Sequence, residues 1–536
     1  MKKYLALCLA VAAVAMAWAH ISPDENKLSC TSIMVGKKAS ADGSVITSHT
    51  CDGLYRTWMD IVPAKDYPRD TVMAIYEGRM HTEWVGDSTK VHARGRIPQA
   101  SHTFRFLDTA YPCLNEKQLG IGETTYSGRD TLVNKKGMFM VEELSRVALQ
   151  RCSTAREAIS LMGSLIKEYG YGDGGECLTI ADKNEVWIME IQGEGPDRIG
   201  GVWAAVRIPD GHVAVSANVS RISKLNLNDK ANCMASENVF DVARKLGLWD
   251  GKEEFSFWKA YSGGNYLKEP KNYSVREHFI LSRLAPSLNL SDTVAELPLS
   301  VKPDKKVSAQ DVMALLTSYY EGTSNDLTAH LMVPNPKKKK NDEKTASLPD
   351  SIVSPMANPW LRPEEIALYN ALGDTTMKAI RPVAVTWSAY STVIQLRSWL
   401  PDEIGGVAWV SLDNPGESPR FPIFCGTTKL PDMLKICGNH RDRNDAALSH
   451  FRKTNKLATV RWGDDRKRIE AAQRYFWEKG ARELPWVESS FISLSKEDAG
   501  KAEEMLNGYT SDFLGAEIMK WDDMRRVLWS KYWKGF

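Results

Sequence analysis

The chain has 536 residues, 43% hydrophobic and 25% charged, which supplies a large core and excludes a disordered or fibrous protein. Its 69 basic and 67 acidic residues leave a formal charge of +2, so no global field recruits nucleic acid or an anionic membrane. A small or neutral partner is expected.

The N-terminus carries Lys2 and Lys3, then the apolar run YLALCLAVAAVAMAW, then Ala17-Trp18-Ala19. These are the n-region, h-region and A-x-A site of a secretory signal peptide. Residues 1–19 are therefore expected to be removed near Ala19 and the chain exported, to a periplasm or beyond. No later run is apolar enough to predict a membrane span. Residues 20–29 read as a short pro-segment ahead of Cys30. Lipidation of Cys30 would require the cysteine to follow the apolar core directly, but HISPDENK intervenes, which disfavours it.

From Cys30 onward the predicted elements begin with strands. CTSIMVG and VITSHTCD are β-branched runs joined by the turn-forming KKASADGS, which predicts a β-hairpin. Cys30 opens its first strand and Asp52 ends its second. The start of one strand and the end of its antiparallel partner share one edge, so His49, Cys51 or Asp52 should lie beside Cys30. STAREAISLMGSLIKEYG is an amphipathic helix, with a Thr154/Glu157 capping box, an apolar face from Ala158 to Tyr169 and Gly170 at its end. Two hairpins are then predicted, one about Asp182-Lys183-Asn184 and one about Pro209-Asp210-Gly211. Residues 334–356, with four consecutive lysines, read as a solvated loop rather than a nucleic-acid contact. Strand-and-turn character returns over 379–424. Beyond about 440 the chain turns charged and helical. Runs of strands beside runs of helices, without strict alternation, indicate an α+β fold with antiparallel sheets. The expected organisation is a catalytic domain over 30–439 and a helical C-terminal extension over 440–536.

Nine cysteines are present. Without Cys8 and with Cys30 free, seven remain at irregular spacings, which is no disulfide framework, although export would allow one or two bridges. No C-x-x-C pair suggests structural zinc. Gly172-Asp173-Gly174-Gly175 precedes a strand, not a helix, so it reads as a turn and not a phosphate loop. His440 and His450 lack the i, i+4 spacing of a helical metal pair.

Cys30 carries the chemistry. An internal cysteine has no base attached, whereas a terminal one has an α-amine with a pKa near 7.7 to 8 beside its own thiol near 8.5. Trimmed to Cys30, the chain end would supply both nucleophile and general base, and would cleave an amide through a thioester. Asn218, at the end of the strand-like HVAVSANVS, is the candidate oxyanion donor. Asp52 could hold the ammonium. From pattern alone the turn readings are favoured, with Asn218 capping a turn and Asp52 beginning one.

The stretches CTSIMVGKKASADGS, GIGETTYSGR, EYGYGDGGECLTIADKNEVWIMEI, VRIPDGHVAVSANVSRI, SYYEGTSND and AVTWSAYSTVIQLRSWLPDEIGGVAWVSLD resemble the dipeptidase A/secernin family of cysteine dipeptidases. That family belongs to the N-terminal nucleophile hydrolases, the wider group that includes penicillin V acylase and bile salt hydrolase. The resemblance runs from residue 30 to about 425. It implies a four-layer αββα sandwich, maturation that frees Cys30, and hydrolysis of dipeptides without a metal or other cofactor. By the same resemblance Cys30 matches the nucleophile, Asp52 the aspartate that binds its amine and Asn218 the oxyanion asparagine. Arg276 in NYSVREHF is the choice for a further arginine, with Arg283 next. His49 stands where relatives often have an arginine, which bears on substrate preference. Glu123 and Glu321, in family-like motifs, are candidates to bind a substrate amine or to be buried structural carboxylates. The leading expectation is an exported dipeptidase acting on short peptides, with homo-oligomerisation left open. Its rivals are an acylase of N-acyl amides on the same scaffold and a noncatalytic exported binding protein.

Overall fold

The computed structural model describes residues 30–339, 342–373, 377–438 and 441–535. The expected signal peptide, pro-segment and His440 lie outside them. The first β-branched runs pair as the sequence predicts: Ser32–Val35 and Val45–Asp52 are antiparallel neighbours with Val35 opposite Ile46. Towards Cys30 the partners spread, and hydroxyls bridge the gap. Thr31 N donates to Thr50 Oγ1 at 2.9 Å and Ile33 N to Ser48 Oγ at 2.7 Å. Cys30 and Thr31 therefore precede the regular strand rather than open it.

These strands sit inside a seven-stranded antiparallel sheet ordered Ser300–Val301, Val213–Ser216, Ser32–Val35, Val45–Asp52, Ser388–Leu396, Gly406–Leu412, Phe421–Phe424. An eight-stranded sheet runs Cys233–Ala235, Val202–Ile208, Val186–Gln192, Gly175–Ala181, Gly120–Tyr126, Leu114–Asn115, Phe106–Asp108, Asp60–Val62. Strand alternation splits the first sheet between two cores. Ile33, Val35 and Ile46 enter one core, while Met34 and Val45 enter the other. The two sheets touch through small and hydroxyl side chains. Thr47 Oγ1 lies 2.7 Å from Thr179 Oγ1. At Gly122 a Cβ would come within 2.4 Å of Ser48 O, so only glycine permits that approach.

Helices Val141–Arg151 and Ala155–Tyr169 pack on the eight-stranded sheet, and Val275–Leu284 and Ala309–Leu316 on the seven-stranded one. The predicted Thr154/Glu157 capping box forms, and Gly170 ends the helix at φ 80°. The predicted 182–184 hairpin also forms, as Gly175–Ala181 against Val186–Gln192. The one predicted about Pro209-Asp210-Gly211 does not. Val202–Ile208 belongs to the eight-stranded sheet and Val213–Ser216 to the seven-stranded one, so this turn carries the chain from sheet to sheet. Its geometry is fixed from outside: the Asp210 carbonyl accepts from Lys38 N and Ala39 N, and Arg207 Nη2 binds the Asp210 carboxylate.

Within 334–356 the chain is pinned by a short ribbon, Met332–Pro334 against Ser351–Val353. The C-terminal region is helical, as Ala447–Val460, Trp462–Glu497 and Ala499–Lys531. It packs on strands of the seven-stranded sheet. Thr510 Oγ1 donates to Pro422 O at 2.9 Å, and Gly480 lies against the Trp409 ring. The fold is thus mixed α+β, with antiparallel sheets and a helical C-terminal region. All eight cysteines among the described residues are buried free thiols. No helix of the described residues is long and apolar enough to cross a membrane.

Candidate active site

Three segments distant in sequence meet at Cys30. The sheet register brings the end of Val213–Ser216 beside Cys30, because Ser32 pairs with Ser216. The chain then turns through Asn218 at φ 66°, a left-handed conformation that a non-glycine residue holds only when its surroundings enforce it. The third segment is the first turn of helix Val275–Leu284. Ser274 caps it and Glu277 completes a capping box, so Arg276 and Glu277 are fixed at its N-terminus. Glu277 also accepts from Ala217 N at 2.8 Å, which ties that helix to the Asn218 turn.

Each backbone atom of Cys30 is held. Its nitrogen donates to Asn218 Oδ1 at 3.0 Å. Its carbonyl accepts from Arg276 Nη1 at 2.6 Å. Arg276 Nη2 reaches Asn218 Oδ1 at 2.7 Å and Ala217 O at 3.2 Å. Asn218 Nδ2 gives one hydrogen to Thr125 O at 2.5 Å. Arg283, the alternative arginine, is exposed and donates to Glu321 O. Glu321 itself accepts from Tyr319 N at 3.1 Å and binds Ser318 Oγ, so it braces its own turn.

Asp52 lies beside Cys30 as the hairpin predicted. Its backbone N–H points at the Cys30 sulfur. Its carboxylate is occupied by Arg381 Nη2 at 2.6 Å, Thr50 Oγ1 at 2.8 Å and Ser388 Oγ. Burial and the neighbouring Arg276 charge pull Arg381 down to about 10, against the pull of Asp52. Arg381 is separated from Asp52 by 329 positions, and nothing local in the sequence announces it. Ser388 and Thr50 were likewise not singled out. A capping-box search over Ser274-x-x-Glu277 would have placed Arg276 and Glu277 on a helix start.

On the other side of the sulfur stand His49 and Glu123. His49 Nε2 and Glu123 Oε2 are 3.4 Å apart, with both side chains 1% exposed. Cys30, His49 and Glu123 bring one donor atom each within 4.8 Å of one another. The His49 ring is held edge-on by Tyr111 and Tyr390, at centroid distances of 5.4 and 5.9 Å. Burial alone would raise the Glu123 carboxyl, but His49, the Glu176 carboxyl and Thr125 outweigh it and hold Glu123 below its ordinary value. Glu176, which sequence reasoning missed, is driven well up by burial and by the Glu123 and Asp173 charges. The two neighbouring carboxyls are thus pushed apart, Glu123 towards the charged form and Glu176 towards the neutral one. Burial, then the charges of Glu123, Cys51 and Asp52, push the Cys30 thiol well above its ordinary value against the Asp52 N–H.

A cleft of about 1170 Å³ is lined by residues that neighbour this cluster in the chain or in space, among them Gly53, Tyr55, Tyr111, Thr125 and Glu176. Cys30 itself is buried, at 2% exposure. The site thus combines a thiol, fixed backbone dipoles, a clamped arginine and a buried carboxylate–imidazole pair.

Residues 29–475 match the family described as Peptidase family C69. A "Probable dipeptidase" of Salmonella dublin is 28% identical over 437 residues, covering 80% of this chain and 85% of that protein. A "Probable dipeptidase" of Latilactobacillus sakei is 25% identical over 428 residues, 76% of each chain. A "Probable dipeptidase B" of Lactococcus lactis subsp. lactis (strain IL1403) is 25% identical over 422 residues, covering 76% of this chain and 77% of that one. With the family match spanning most of its length, this chain belongs to peptidase family C69.

Proposed function

We propose that this cysteine peptidase is an exported dipeptidase whose working chain begins at Cys30, on the four-layer αββα frame of an N-terminal nucleophile hydrolase. The two sheets form the inner layers, and the helices packed on each form the outer ones. The observation that carries the reading is the convergence on Cys30: nitrogen on Asn218, carbonyl on Arg276 and sulfur facing the Asp52 N–H. The family match beginning one residue before Cys30 supports it, as do the names of the relatives.

In this mechanism removal of residues 1–29 turns the Cys30 nitrogen into a primary amine. The uncharged amine takes the thiol proton and the sulfur attacks the amide carbon of the peptide. The second hydrogen of Asn218 Nδ2 meets the oxyanion, while Arg276 keeps Asn218 and the Cys30 carbonyl in register. One such donor contributes on the order of 3 kcal/mol to the transition state. The ammonium then protonates the departing amine, which leaves a thioester. Water, deprotonated by the same α-amine, releases the acyl product and restores the thiol. Asp52 supplies negative charge beside the ammonium and anchors Arg381. Glu123, ionised and facing the cluster, takes the free amine of the substrate, with His49 alongside.

A panel of dipeptides and N-acyl amino acids, assayed with protein of measured N-terminal mass, tests the proposal. Turnover of free dipeptides by a chain starting at Cys30 is expected. Preference for acylated amines would make the enzyme an acylase, and an inert chain that keeps residues ahead of Cys30 would remove the catalytic reading.

A further inference from the structure

The cluster at Cys30 holds polar atoms that the structure without substrate leaves unsatisfied. His49 Nδ1, His49 Nε2 and Glu123 Oε2 are buried without a hydrogen bond of good geometry. A buried polar atom left so is destabilising, and such atoms in native proteins call for an occupant or a role. The His49 ring is oriented by the edges of Tyr111 and Tyr390 rather than by a hydrogen bond. A ring nitrogen with a free lone pair is therefore available in the neutral imidazole.

We propose that Cys30, His49 and Glu123 form a reversible inhibitory site for a thiophilic divalent transition metal, with Zn²⁺ as the type ion. The donor set is thiolate, imidazole and carboxylate, which together suit Zn²⁺ better than Mg²⁺ or Ca²⁺. The three donor atoms already lie within 4.8 Å of one another, and His49 Nε2 and Glu123 Oε2 are at 3.4 Å. Ligands about 2.0 to 2.3 Å from a tetrahedral ion are separated by roughly 3.3 to 3.7 Å, so the His49–Glu123 pair already has ligand spacing and the sulfur closes on it by up to about 1 Å.

The fourth donor depends on the reading that maturation leaves Cys30 first. The α-amine of a terminal cysteine closes a five-membered chelate with its own sulfur. Asn218 already fixes that nitrogen. Binding forms bonds from the metal to sulfur, to both nitrogens and to the carboxylate oxygen. It releases the thiol proton, and any proton on the amine, to solvent, and no electron changes hands. The metal occupies both nucleophile and base, and also the carboxylate assigned to the peptide amine, so inhibition is competitive with substrate. The imidazole of His49 supplies the nitrogen donor on which the site depends.

Titrating metal-free mature protein with Co²⁺ tests the inference, because cobalt bound to thiolate has a near-ultraviolet charge-transfer band independent of activity. One equivalent is expected to develop that band, with tetrahedral visible absorption, while dipeptide hydrolysis falls in step and a chelator restores it. Cys30→Ser should abolish the band. His49→Gln and Glu123→Gln, two independent variants checked for folding by circular dichroism, should each weaken cobalt binding roughly tenfold or more. Absence of the band in the parent protein, or unchanged affinity in both folded variants, overturns the inference. Hydrolysis by metal-free protein with no band leaves the dipeptidase reading standing alone. A band without hydrolysis in metal-free protein starting at Cys30 leaves only the metal site.

Discussion

The two flanks of Cys30 differ in how their polar atoms are spent. On the Asn218–Arg276 flank the nitrogen, the carbonyl and the guanidinium each have partners between 2.6 and 3.2 Å. On the His49–Glu123 flank, buried nitrogens and a carboxylate oxygen have none of good geometry. A saturated network is rigid and already in place, which is what a nucleophile and its oxyanion donor require. An unsaturated one holds its atoms for something that arrives. The first flank reads as machinery and the second as a receiving surface, for a peptide amine or for a metal ion.

Substitutions can break this contrast, and the largest effect belongs to the residue between the flanks. Cys30→Ala should reduce dipeptide turnover to background with the fold intact, and Cys30→Ser should keep some self-processing while losing most hydrolysis. Steady-state kinetics and N-terminal mass check both. An active alanine variant would reject the mechanism.

Next comes the saturated flank. Asn218→Ala or Arg276→Ala should each lower kcat about 100-fold, equivalent to about 3 kcal/mol of transition-state stabilisation, with a smaller change in KM. Arg276→Lys should recover only part, since an ammonium cannot bridge Cys30 O and Asn218 Oδ1 as a planar guanidinium does. Asp52→Asn leaves Arg381 without its carboxylate partner. Breaking a largely buried pair costs about 3 kcal/mol, measurable by denaturant unfolding, and kcat should fall by more than this loss of folded protein explains. Equal losses would make Asp52 structural.

The smallest effect lies on the open flank. Glu123 is among the charges that disfavour the Cys30 thiolate, after burial itself. Removing that negative charge in Glu123→Gln lowers the thiol pKa and raises the thiolate fraction at any pH below it. Alkylation by iodoacetamide at neutral pH should therefore accelerate several-fold, while KM for dipeptides rises. Slower alkylation would mean that Glu123 acts on Cys30 by some route other than its charge.

What was legible in the sequence follows the range of the forces. Local signals were sound: β-branched runs gave the first hairpin, the Thr154/Glu157 box gave its helix, and periodic charge gave the C-terminal helices. The Pro209-Asp210-Gly211 turn misled because a hairpin turn and a turn between sheets share the same residues. Only the registers of Val202–Ile208 and Val213–Ser216 with other strands separate the two cases. Of the site, Cys30, His49 and Asp52 could be placed together from one hairpin. Asn218 stands out as a strand-end amide that the family resemblance then favours, while Arg276 and Glu123 rest on that resemblance, since their positions depend on long-range packing. Arg381 and Glu176 had no local signal at all. They matter through ionic contacts that exist only after the chain has folded.

The central claim is that Cys30 is the first residue of the working enzyme. Intact and N-terminal mass spectrometry of purified, active protein measures this directly. The account predicts a chain that begins at Cys30, with activity proportional to the fraction so trimmed; full dipeptide turnover by a chain that still carries residues ahead of Cys30 would contradict it.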